Sequence, residues 1–518
     1  MIIAGYFASR VGTGFSRDVR DDIFRKVLSF SLPELNKFST ASLINRTTND
    51  VQQLQMTLVI VLRMSCQAPL MATGAIIQAL ATAPDMAWII ALAVICLTAV
   101  VVVMMIMVMP KFRIIQRLTD RLNQVTRESL TGLRVVRAFN NEKLEEKRFT
   151  DANNNVTRVQ LFTFRAMSVT MPFVQLILNF IMLLIIWVGA SYIEQGIVAV
   201  GDMMAFMQYA MQVIMSFMFL AMAFIMVPRA VVSWVRISEV MNTRLSIRPP
   251  KQAKRAQSSK RGEVEFRNVT FSYDNAAVPV IKDINFISKP GQVTALIGST
   301  GSGKSTLINL IPRLYDATEG SVFVDGTDVR DYEPSDLMRK IGYVPQRGVL
   351  FSGTVDSNIA LGLGNHDHKH IARAADIAQA KSFIDDLEEE YESPVDQGGR
   401  NFSGGQRQRL AIARAIARDP EIYIFDDSFS ALDYRTDLAL RQALKKVTDH
   451  ATTLIVAQRV STIKHANQIL VLDKGHIVGR GTHYALLREC KIYREIASSQ
   501  FNDAEMKTEM KIAKKGEA

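Results

Sequence analysis

The chain has 518 residues, which is enough for more than one domain. Its formal net charge is +11, but much of the basic excess lies beside long apolar stretches. Cytoplasmic loops of membrane proteins have this distribution, so nucleic-acid binding is the weaker explanation of the charge. Cys66, Cys96 and Cys490 show no paired spacing and give no sign of a disulfide framework. The apolar stretches lie in the first half, so we expect a membrane domain followed by a soluble domain.

Four stretches of the first half contain no Asp, Glu, Lys or Arg and are long enough to cross a membrane as helices. They cover residues 64–84, 86–109, 166–193 and 203–228, and we place the start of the first span near residue 56. Residues 1–9 are also uncharged, but so short a helix covers only about 14 Å of a hydrocarbon core of about 30 Å. We therefore expect the chain to begin inside a membrane helix.

The basic residues predict the orientation of these spans. Segments 10–55 and 110–167 are rich in Lys and Arg, whereas the two short connections near residue 85 and at 191–202 contain none. The positive-inside rule places both long segments in the cytoplasm. The helical spacing of apolar residues in the second of them predicts helices that continue beyond the bilayer, with a turn near 140–142 and a similar turn near 38–44.

The last span carries methionines along one helix face. They are Met204, Met207, Met211, Met215, Met218, Met222 and Met226. Flexible, polarizable thioether side chains suit a cavity that accepts varied apolar ligands, and they suit packing against neighbouring helices equally well. Both interpretations stay open.

Residues 244–262 are rich in Lys, Arg, Pro and Ser, which is typical of a linker. Residues 263–500 then show the pattern of an α/β domain, and residues 501–518 are predicted to be a frayed tail. Short apolar strands are predicted at 264–271, 293–297, 341–344, 422–425, 453–456 and 469–472.

A glycine-rich stretch follows the second of these strands and precedes a predicted helix at 307–314. It reads Gly298, Ser299, Thr300, Gly301, Ser302, Gly303, Lys304, Ser305 and Thr306. This matches the phosphate-binding loop G-x-x-x-x-G-K-[ST], in which backbone N–H groups point at phosphate oxygens. Lys304 can reach the terminal phosphates, and the Ser305 hydroxyl can hold Mg²⁺.

Three further features suit a nucleotide site. Asp426 and Asp427 end an apolar strand, the usual place for an aspartate that orders Mg²⁺. Tyr273 offers an aromatic ring for an adenine base. Ser403, Gly404, Gly405 and Gln406 open a helix predicted at 408–418, and they combine a capping-box spacing with a helix N-terminus left open for an anion. An ordinary helix cap is the alternative.

Together these motifs resemble the ATP-binding cassette transporters, specifically the bacterial multidrug-type exporters. The resemblance covers nearly the whole chain and includes Gln346 in a Val-Pro-Gln run and Asp433 at the end of Ser-Ala-Leu-Asp. It implies an all-α transmembrane domain over residues 1–243, followed by an α/β nucleotide-binding domain that binds ATP and Mg²⁺. It also implies Mg²⁺ ligation by Ser305, Gln346 and Asp426. Two such domains are expected to pair head to tail, so that the signature at 403–406 acts on the partner's ATP.

The sequence departs from the family pattern at two positions of one site. Asp427 stands where the family has its catalytic Glu, and Gln458 stands where it has a switch His. Asp is one methylene shorter, and Gln cannot titrate near neutrality. We therefore expect the degenerate-site subunit of a heterodimer, whose partner supplies the Glu and the His. A regulatory ATP-binding subunit, or a homodimer in which Asp427 is the base, are the alternatives.

The resemblance also sets expectations for cargo and location. The family has six spans per half, so the first span and most of the second are expected to be missing from this chain. The apolar, Met-rich wall favours amphipathic drugs or lipids as cargo, and membrane lipids are expected to surround the spans. A multi-pass protein of the bacterial plasma membrane is expected, with the nucleotide-binding domain in the cytoplasm.

Overall fold

The computed structural model describes residues 2–250, 252–254, 260–274, 276–364 and 367–515. The chain divides into two compact units. Residues 1–28 and 39–243 form one of them, here called the helical unit. Residues 29–38 and 244–518 form the other, here called the α/β unit.

Long helices make up the helical unit. In chain order the first helices are α1 (Ile2–Leu28), α2 (Leu32–Lys37, which lies in the α/β unit), α3 (Thr40–Asn45), α4 (Val51–Thr82), α5 (Ala87–Thr131), α6 (Leu133–Ala138), α7 (Glu142–Glu194) and α8 (Val200–Met241). Four helical stretches of the described residues are long and apolar enough to cross a membrane: Thr40–Thr82, Pro84–Thr131, Glu142–Glu194 and Val200–Met241. At 1.5 Å per residue, the longest reaches about 80 Å, far more than a bilayer needs.

The two predicted turns have different outcomes. Helix α6 ends at Ala138 and α7 begins at Glu142, so the chain turns close to the predicted 140–142. The turn predicted at 38–44 was placed too late, because α3 already occupies Thr40–Asn45. The chain leaves α1 at Leu28, and Ser31 caps the separate short helix α2 through a capping box with Glu34.

Pairs of antiparallel helices bury the core of the helical unit. Helix α4 packs along α8, and α5 packs along α7. Fully buried side chains at the centre include Met86, Ile89, Ile185 and Phe206. The buried residues of α4 include the small residues Ala68, Ala75 and Ala79, which allow a neighbouring helix to approach closely.

The methionine stripe of α8 does not lie in one environment. Met207 and Met218 are partly buried against the core of the helical unit, whereas Met204 is 65% exposed and Met215 is 48% exposed. The Met222 side chain lies outside the described residues. Packing and cavity lining therefore both stay open for this stripe.

The α/β unit contains two larger sheets. Its strands are β1 (Val264–Phe271), β2 (Ile281–Ser288), β3 (Val293–Gly298), β4 (Glu319–Val324), β5 (Thr327–Asp328), β6 (Ile341–Val344), β7 (Gly353–Thr354), β8 (Pro394–Val395), β9 (Ile422–Asp426), β10 (Thr452–Val456), β11 (Gln468–Asp473) and β12 (His476–Gly481). The six-stranded sheet has the order β12-β11-β3-β10-β9-β6 and is parallel except for β12. The four-stranded sheet is antiparallel, with the order β2-β1-β4-β5.

Some helices of the α/β unit contact the parallel sheet directly and others pack on neighbouring helices, so strands in the middle of the sheet can be buried on both faces. These helices are α9 (Lys304–Asn309), α10 (Pro334–Arg339), α11 (Val355–Ile359), α12 (His368–Ile377), α13 (Lys381–Asp385), α14 (Gly404–Ala417), α15 (Tyr434–Thr448), α16 (Val460–Ile463), α17 (His483–Glu489), α18 (Lys491–Ser498) and α19 (Asp503–Lys515). All residues of β9 and β10 are buried. Such continuous apolar strands fold as the centre of a sheet rather than at its edge.

Two predicted helices begin earlier than expected. Helix α9 starts at Lys304 rather than 307 and already ends at Asn309 rather than 314, and α14 starts at Gly404 rather than 408. In both, the motif residues themselves form the first turn, so the functional loop and the helix N-terminus are continuous. In α14 the first two residues, Gly404 and Gly405, weaken the helical pattern of the sequence.

The prediction of a frayed C-terminal tail was wrong. Residues 503–515 form α19, in which Met506 and Met510 pack against the core of the α/β unit and Ala513 is fully buried. These three residues are spaced at i, i+4 and i+7, which places them on one helix face. Burial of that face, rather than helix propensity, accounts for the order of this segment.

Candidate active site

Three parallel strands of the six-stranded sheet end side by side at the candidate site. Strand β10 lies between β3 and β9, with Val456 paired to both Leu296 and Asp426. The loop after β3 is the glycine-rich stretch, β9 ends in Asp426, and Gln458 follows β10. Because carboxyl ends of parallel strands meet at one edge, residues far apart in sequence converge there.

The glycine-rich loop needs glycine for two distinct reasons. A Cβ on Gly298 would lie 2.1 Å from the carbonyl oxygen of Leu472, so the backbones approach too closely for a side chain. Gly303 caps α9 with φ +97°, a conformation that other residues adopt only with strain. A Cβ there would lie 2.5 Å from Ile281 Cγ2. The loop shape that matches the phosphate-binding motif is therefore set by contacts on both flanks.

Lys304 lies folded back over this loop. Its Nζ donates to the carbonyl oxygens of Gly298 at 2.9 Å and Ser299 at 2.8 Å. Burial lowers the pKa of Lys304, while the charges of Asp427 and Asp426 raise it. A phosphate is a stronger acceptor for an ammonium than a carbonyl, so these two bonds are the ones that an arriving nucleotide would replace.

Ser305 and Asp426 supply the oxygen atoms that a hard divalent cation requires. Ser305 Oγ donates to Asp426 Oδ1 at 2.9 Å. Burial raises the pKa of the Asp426 carboxyl, and the hydrogen bond from Ser305 opposes that shift. The donor set fits Mg²⁺, which would be held by Ser305 and Asp426 with Gln346 nearby and would neutralise charge on the phosphates when bound.

Asp427 is held between two amide side chains. Its Oδ2 accepts from Gln458 Nε2 at 2.7 Å and from Gln346 Nε2 at 3.3 Å. The Asp427 backbone has φ +48°, and its N–H donates to Val456 O at 3.0 Å. Burial raises the pKa of the Asp427 carboxyl, against hydrogen bonds from Gln346, Ser430 and Gln458. The base position and the switch position are therefore joined directly.

Tyr273 belongs to a small aromatic cluster. Its hydroxyl lies 2.9 Å from Thr306 Oγ1, and its ring meets those of Phe271 at 4.9 Å and Tyr315 at 5.3 Å in edge-on contacts. The side chain is 37% exposed. An aromatic ring fixed in this way, beside the phosphate-binding loop, is suited to stack on a base.

Most of the predicted site residues share one open cleft of about 350 Å³. Its lining comprises Tyr273, Thr300, Gly301, Gly303, Lys304, Ser305, Thr306, Gln346, Asp426, Asp427 and Gln458, together with Val280 and Val456. Side chains of Ser299 and Ser302 do not line it. Gly298 and Ser302 instead shape the loop beneath, where Ser302 is buried.

The signature residues and Asp433 do not line this cleft. Ser403 caps α14, with Gln406 N–H donating to its Oγ at 3.2 Å and Ser403 N–H donating to Gln406 Oε1 at 2.8 Å. This is the predicted capping box, and Gly404 and Gly405 form the first turn. Asp433 caps α15 by accepting from Thr436 N–H at 3.0 Å. Within one chain, these residues act as helix caps.

Sequence reasoning did not find Tyr315 or Gln500 as neighbours of the site, and Ser430 entered it only as the first residue of the Ser-Ala-Leu-Asp run. Tyr315 supports the Tyr273 ring, Ser430 Oγ donates to Asp427 O at 2.8 Å, and Gln500 holds the loop that carries Gln458. Tyr315 has the same aromatic character as Tyr273, which is the one signal that could have linked them. Gln500 lies 42 residues from Gln458 and carries no local signal.

The cleft therefore defines a nucleotide-binding ATPase site of the phosphate-loop type, in a chain that also has membrane-spanning helices. Comparison with known proteins agrees over both parts. The family description "ABC transporter transmembrane region" matches residues 1–217, and "ABC transporter" matches residues 281–430. The chain belongs to the ABC transporter family.

Three relatives define its type more closely. An uncharacterized ABC transporter ATP-binding protein of Mycobacterium bovis is 40% identical over 500 residues, covering 96% of this chain and 86% of the relative. An ATP-dependent lipid A-core flippase of Pseudomonas aeruginosa is 34% identical over 496 residues, covering 94% and 80%. A bacterial Atm1-family ABC exporter with ATP bound has a TM-score of 0.81 at 26% identity, covering 96% and 86%. The protein is an ABC exporter half-transporter, with an ATPase domain fused to its transmembrane domain.

Proposed function

We propose that this chain is one half of a heterodimeric exporter and that its own nucleotide site is the slower of the pair. The observation that carries the proposal is the placement of Asp427, a residue that is only 8% exposed and whose carboxylate accepts from the amides of Gln458 and Gln346. A base must hold an attacking water, and a carboxylate engaged by two amides at the end of a short side chain is poorly placed for that.

Gln458 adds a second reason for slow turnover. Its amide can donate to Asp427 at any pH, but it cannot exchange a proton near neutrality as a histidine can. The site keeps everything needed to bind ATP, because Lys304, Ser305 and Tyr273 all line the cleft. We therefore expect persistent ATP binding with slow hydrolysis in this site, in the presence of Mg²⁺.

The intact signature supports a partner. Ser403 to Gln406 form the N-terminus of α14, a helix of 14 residues, and such an end favours an anion. These residues do not face the cleft of their own chain. We expect them to complete the site of a second ABC half-transporter, whose phosphate loop, catalytic Glu and switch His make that site the competent one.

The cargo is proposed to be amphipathic or lipid-like, and the membrane to be the bacterial plasma membrane. A relative with 34% identity is named a lipid A-core flippase. The exposed methionines of α8, Met204 and Met215, offer adaptable apolar surface of the kind that accepts such molecules. The Lys- and Arg-rich segments 10–55 and 110–167 are expected to mark the cytoplasmic ends of the spans. The last span begins on the other side, at the connection that contains no Lys or Arg, so the ATPase domain that follows it is expected on the cytoplasmic side.

One observation favours a second candidate, a homodimer in which Asp427 is the base. Burial raises the pKa of the Asp427 carboxyl, and a carboxyl whose pKa moves towards neutrality is a better proton acceptor. The two candidates differ in whether the chain alone hydrolyses ATP.

The test measures ATP turnover of the purified chain alone and with its genetically adjacent candidate partner. Lys304→Ala and Ser403→Ala are made in each assembly. The heterodimer predicts that the chain alone is nearly inactive and that, in the pair, Ser403→Ala abolishes nearly all turnover, leaving only the slow hydrolysis of this chain's site, while Lys304→Ala only reduces turnover. Brisk turnover by the chain alone, stopped by Asp427→Asn, would overturn the heterodimer and establish the homodimer.

A further inference from the structure

The short helix α16 directly follows Gln458 and is held at its first residue by Gln500. Gln500 Nε2 donates to the Gln458 carbonyl oxygen at 2.8 Å, and Val460 N–H donates to Gln500 Oε1 at 2.8 Å. The first N–H groups of a helix have no partner within it. The Gln500 side chain therefore accepts from the first N–H of α16 and donates to the carbonyl oxygen of Gln458.

The same C-terminal segment also holds the other end of α16. Lys464 is the C-cap residue of that helix, and its Nζ lies 2.6 Å from Glu509 Oε1 on α19. Glu509 lies 3.4 Å from the buried His483, whose Nδ1 is 2.7 Å from Tyr493 Oη. Gln500, which follows α18, thus holds the N-terminal end of α16, and Glu509 of α19 holds its C-terminal end.

Gln500 itself stands on a rigid support. It follows α18, where Tyr493 and Ala497 are fully buried, and its N–H donates to Ala497 O at 3.0 Å. It does not line the nucleotide cleft. Any effect of Gln500 on ATP chemistry must therefore pass through the loop that it holds.

We propose that Gln500 is a positioning residue for the switch position. By fixing the backbone on both sides of residue 459, it places the Gln458 amide 2.7 Å from Asp427 Oδ2. Without it, this loop gains freedom and Gln458 leaves Asp427 for part of the time. The proposal concerns the site within one chain, so it goes beyond the identity of the partner and does not depend on it.

Hydrogen exchange tests the contact directly in the full-length chain. Gln500→Met removes donor and acceptor at similar size, and Gln500→Glu removes the donor but keeps the acceptor for Val460 N–H. We expect exchange of the Val460 amide to rise about fivefold in Gln500→Met, the loss of one ordinary hydrogen bond, and to stay near wild type in Gln500→Glu. Gln442→Met, the same change at an exposed glutamine of α15, is the matched control.

Kinetics test the consequence in whichever assembly hydrolyses ATP. Gln500→Met is expected to raise kcat at this chain's site, because Asp427 is released for part of the time from the Gln458 amide that engages it, and to leave KM for ATP unchanged. In a Gln458→Ala background it is expected to have no further effect, because residues that act as one unit are non-additive. Additive effects of the two substitutions would overturn the proposal.

If turnover is too slow for the variants to be compared, hydrogen exchange of the Val460 amide serves as the test. An unchanged Val460 amide in Gln500→Met would overturn the proposal whatever the partner is. A faster Val460 amide supports it even if the chain turns out to be a homodimer, so failure of the heterodimer and failure of this inference are separate outcomes.

Discussion

Replacing Asp427 with Glu is the sharpest perturbation of the proposed slow site. The Asp427 carboxylate accepts from Gln458 at 2.7 Å and from Gln346 at 3.3 Å. These two hydrogen bonds hold it beside the loops that follow β10 and β6. One added methylene extends the carboxylate by about 1.5 Å. That extension moves the oxygen past these amides and towards the phosphate loop in the same cleft.

The expected gain follows from the cost of misplacement. A displacement of about 1 Å in a catalytic group costs up to about 100-fold in rate, and a well-placed general base contributes about 10²–10⁴-fold. Residue 458 would still be a glutamine, which cannot exchange a proton near neutrality, so the gain should fall short of the full effect of a well-placed base. We expect Asp427→Glu to raise turnover at this site about 10- to 100-fold. Adding Gln458→His is expected to raise it further.

The assay isolates this chain's own site. In the proposed heterodimer, Ser403→Ala should silence the site that this chain's signature is proposed to complete on the partner, so the turnover that remains would come from the cleft of this chain. Asp427→Asn in the same background is the matched control and should lower that remainder. The reasoning would be refuted if wild-type Asp427 already supported a full rate and Asp427→Glu left turnover unchanged.

Three further outcomes are expected. Gly303→Ala should abolish binding of a fluorescent ATP analogue, whereas Gly301→Ala should weaken it less: both positions have positive φ, but only the Cβ at 303 meets Ile281 at 2.5 Å while that at 301 meets nothing within 4 Å. Equal losses would show that backbone strain, not the clash, decides. Burial raises the pKa of Asp427, and a base works only when deprotonated. Turnover from this site should therefore fall, as pH is lowered, at a pH above the usual carboxyl pKa of about 3.9, and Asp427→Asn should remove that limb from the pH profile. Although burial opposes it, the hydrogen bond from Lys464 leaves the pKa of Glu509 lowered, so its contribution to stability is present above the unfolded value and is lost as pH falls through the folded one. Thermal unfolding should show Glu509→Gln destabilised by about 1–3 kcal/mol at neutral pH, with the difference from wild type shrinking as pH falls below the usual Glu pKa of about 4.3; a difference that did not shrink there would mean that packing, not the charge, secures α19.

Several elements were predictable because their signal is contiguous. The uncharged stretches correspond to four helical stretches apolar enough for a membrane, and strands β1 and β6 begin and end at the predicted residues. The antiparallel strands β2 and β4 were not predicted, since the polar residues on their exposed faces weaken the apolar signal. The C-terminal helix α19 was misread for a related reason: its apolar face becomes visible only when the surface that buries it is known.

The sequence by itself determined the kind of chemistry. Phosphate binding depends on glycines, a lysine and a serine within nine consecutive positions, and membrane insertion depends on the average polarity of about 20 consecutive residues. Local patterns carry both properties, because a short peptide already contains every group involved. The departures at Asp427 and Gln458 are likewise visible as residue types.

Only the tertiary structure decided what those residue types do. Asp427 meets Gln346 across 81 residues and Gln458 across 31, because the register of β6, β9 and β10 brings three loops to one edge. Gln500 reaches the Gln458 loop only because α18 packs with Tyr493 and Ala497 fully buried. Distances between residues far apart in the chain depend on sheet order and core packing, which no local pattern records.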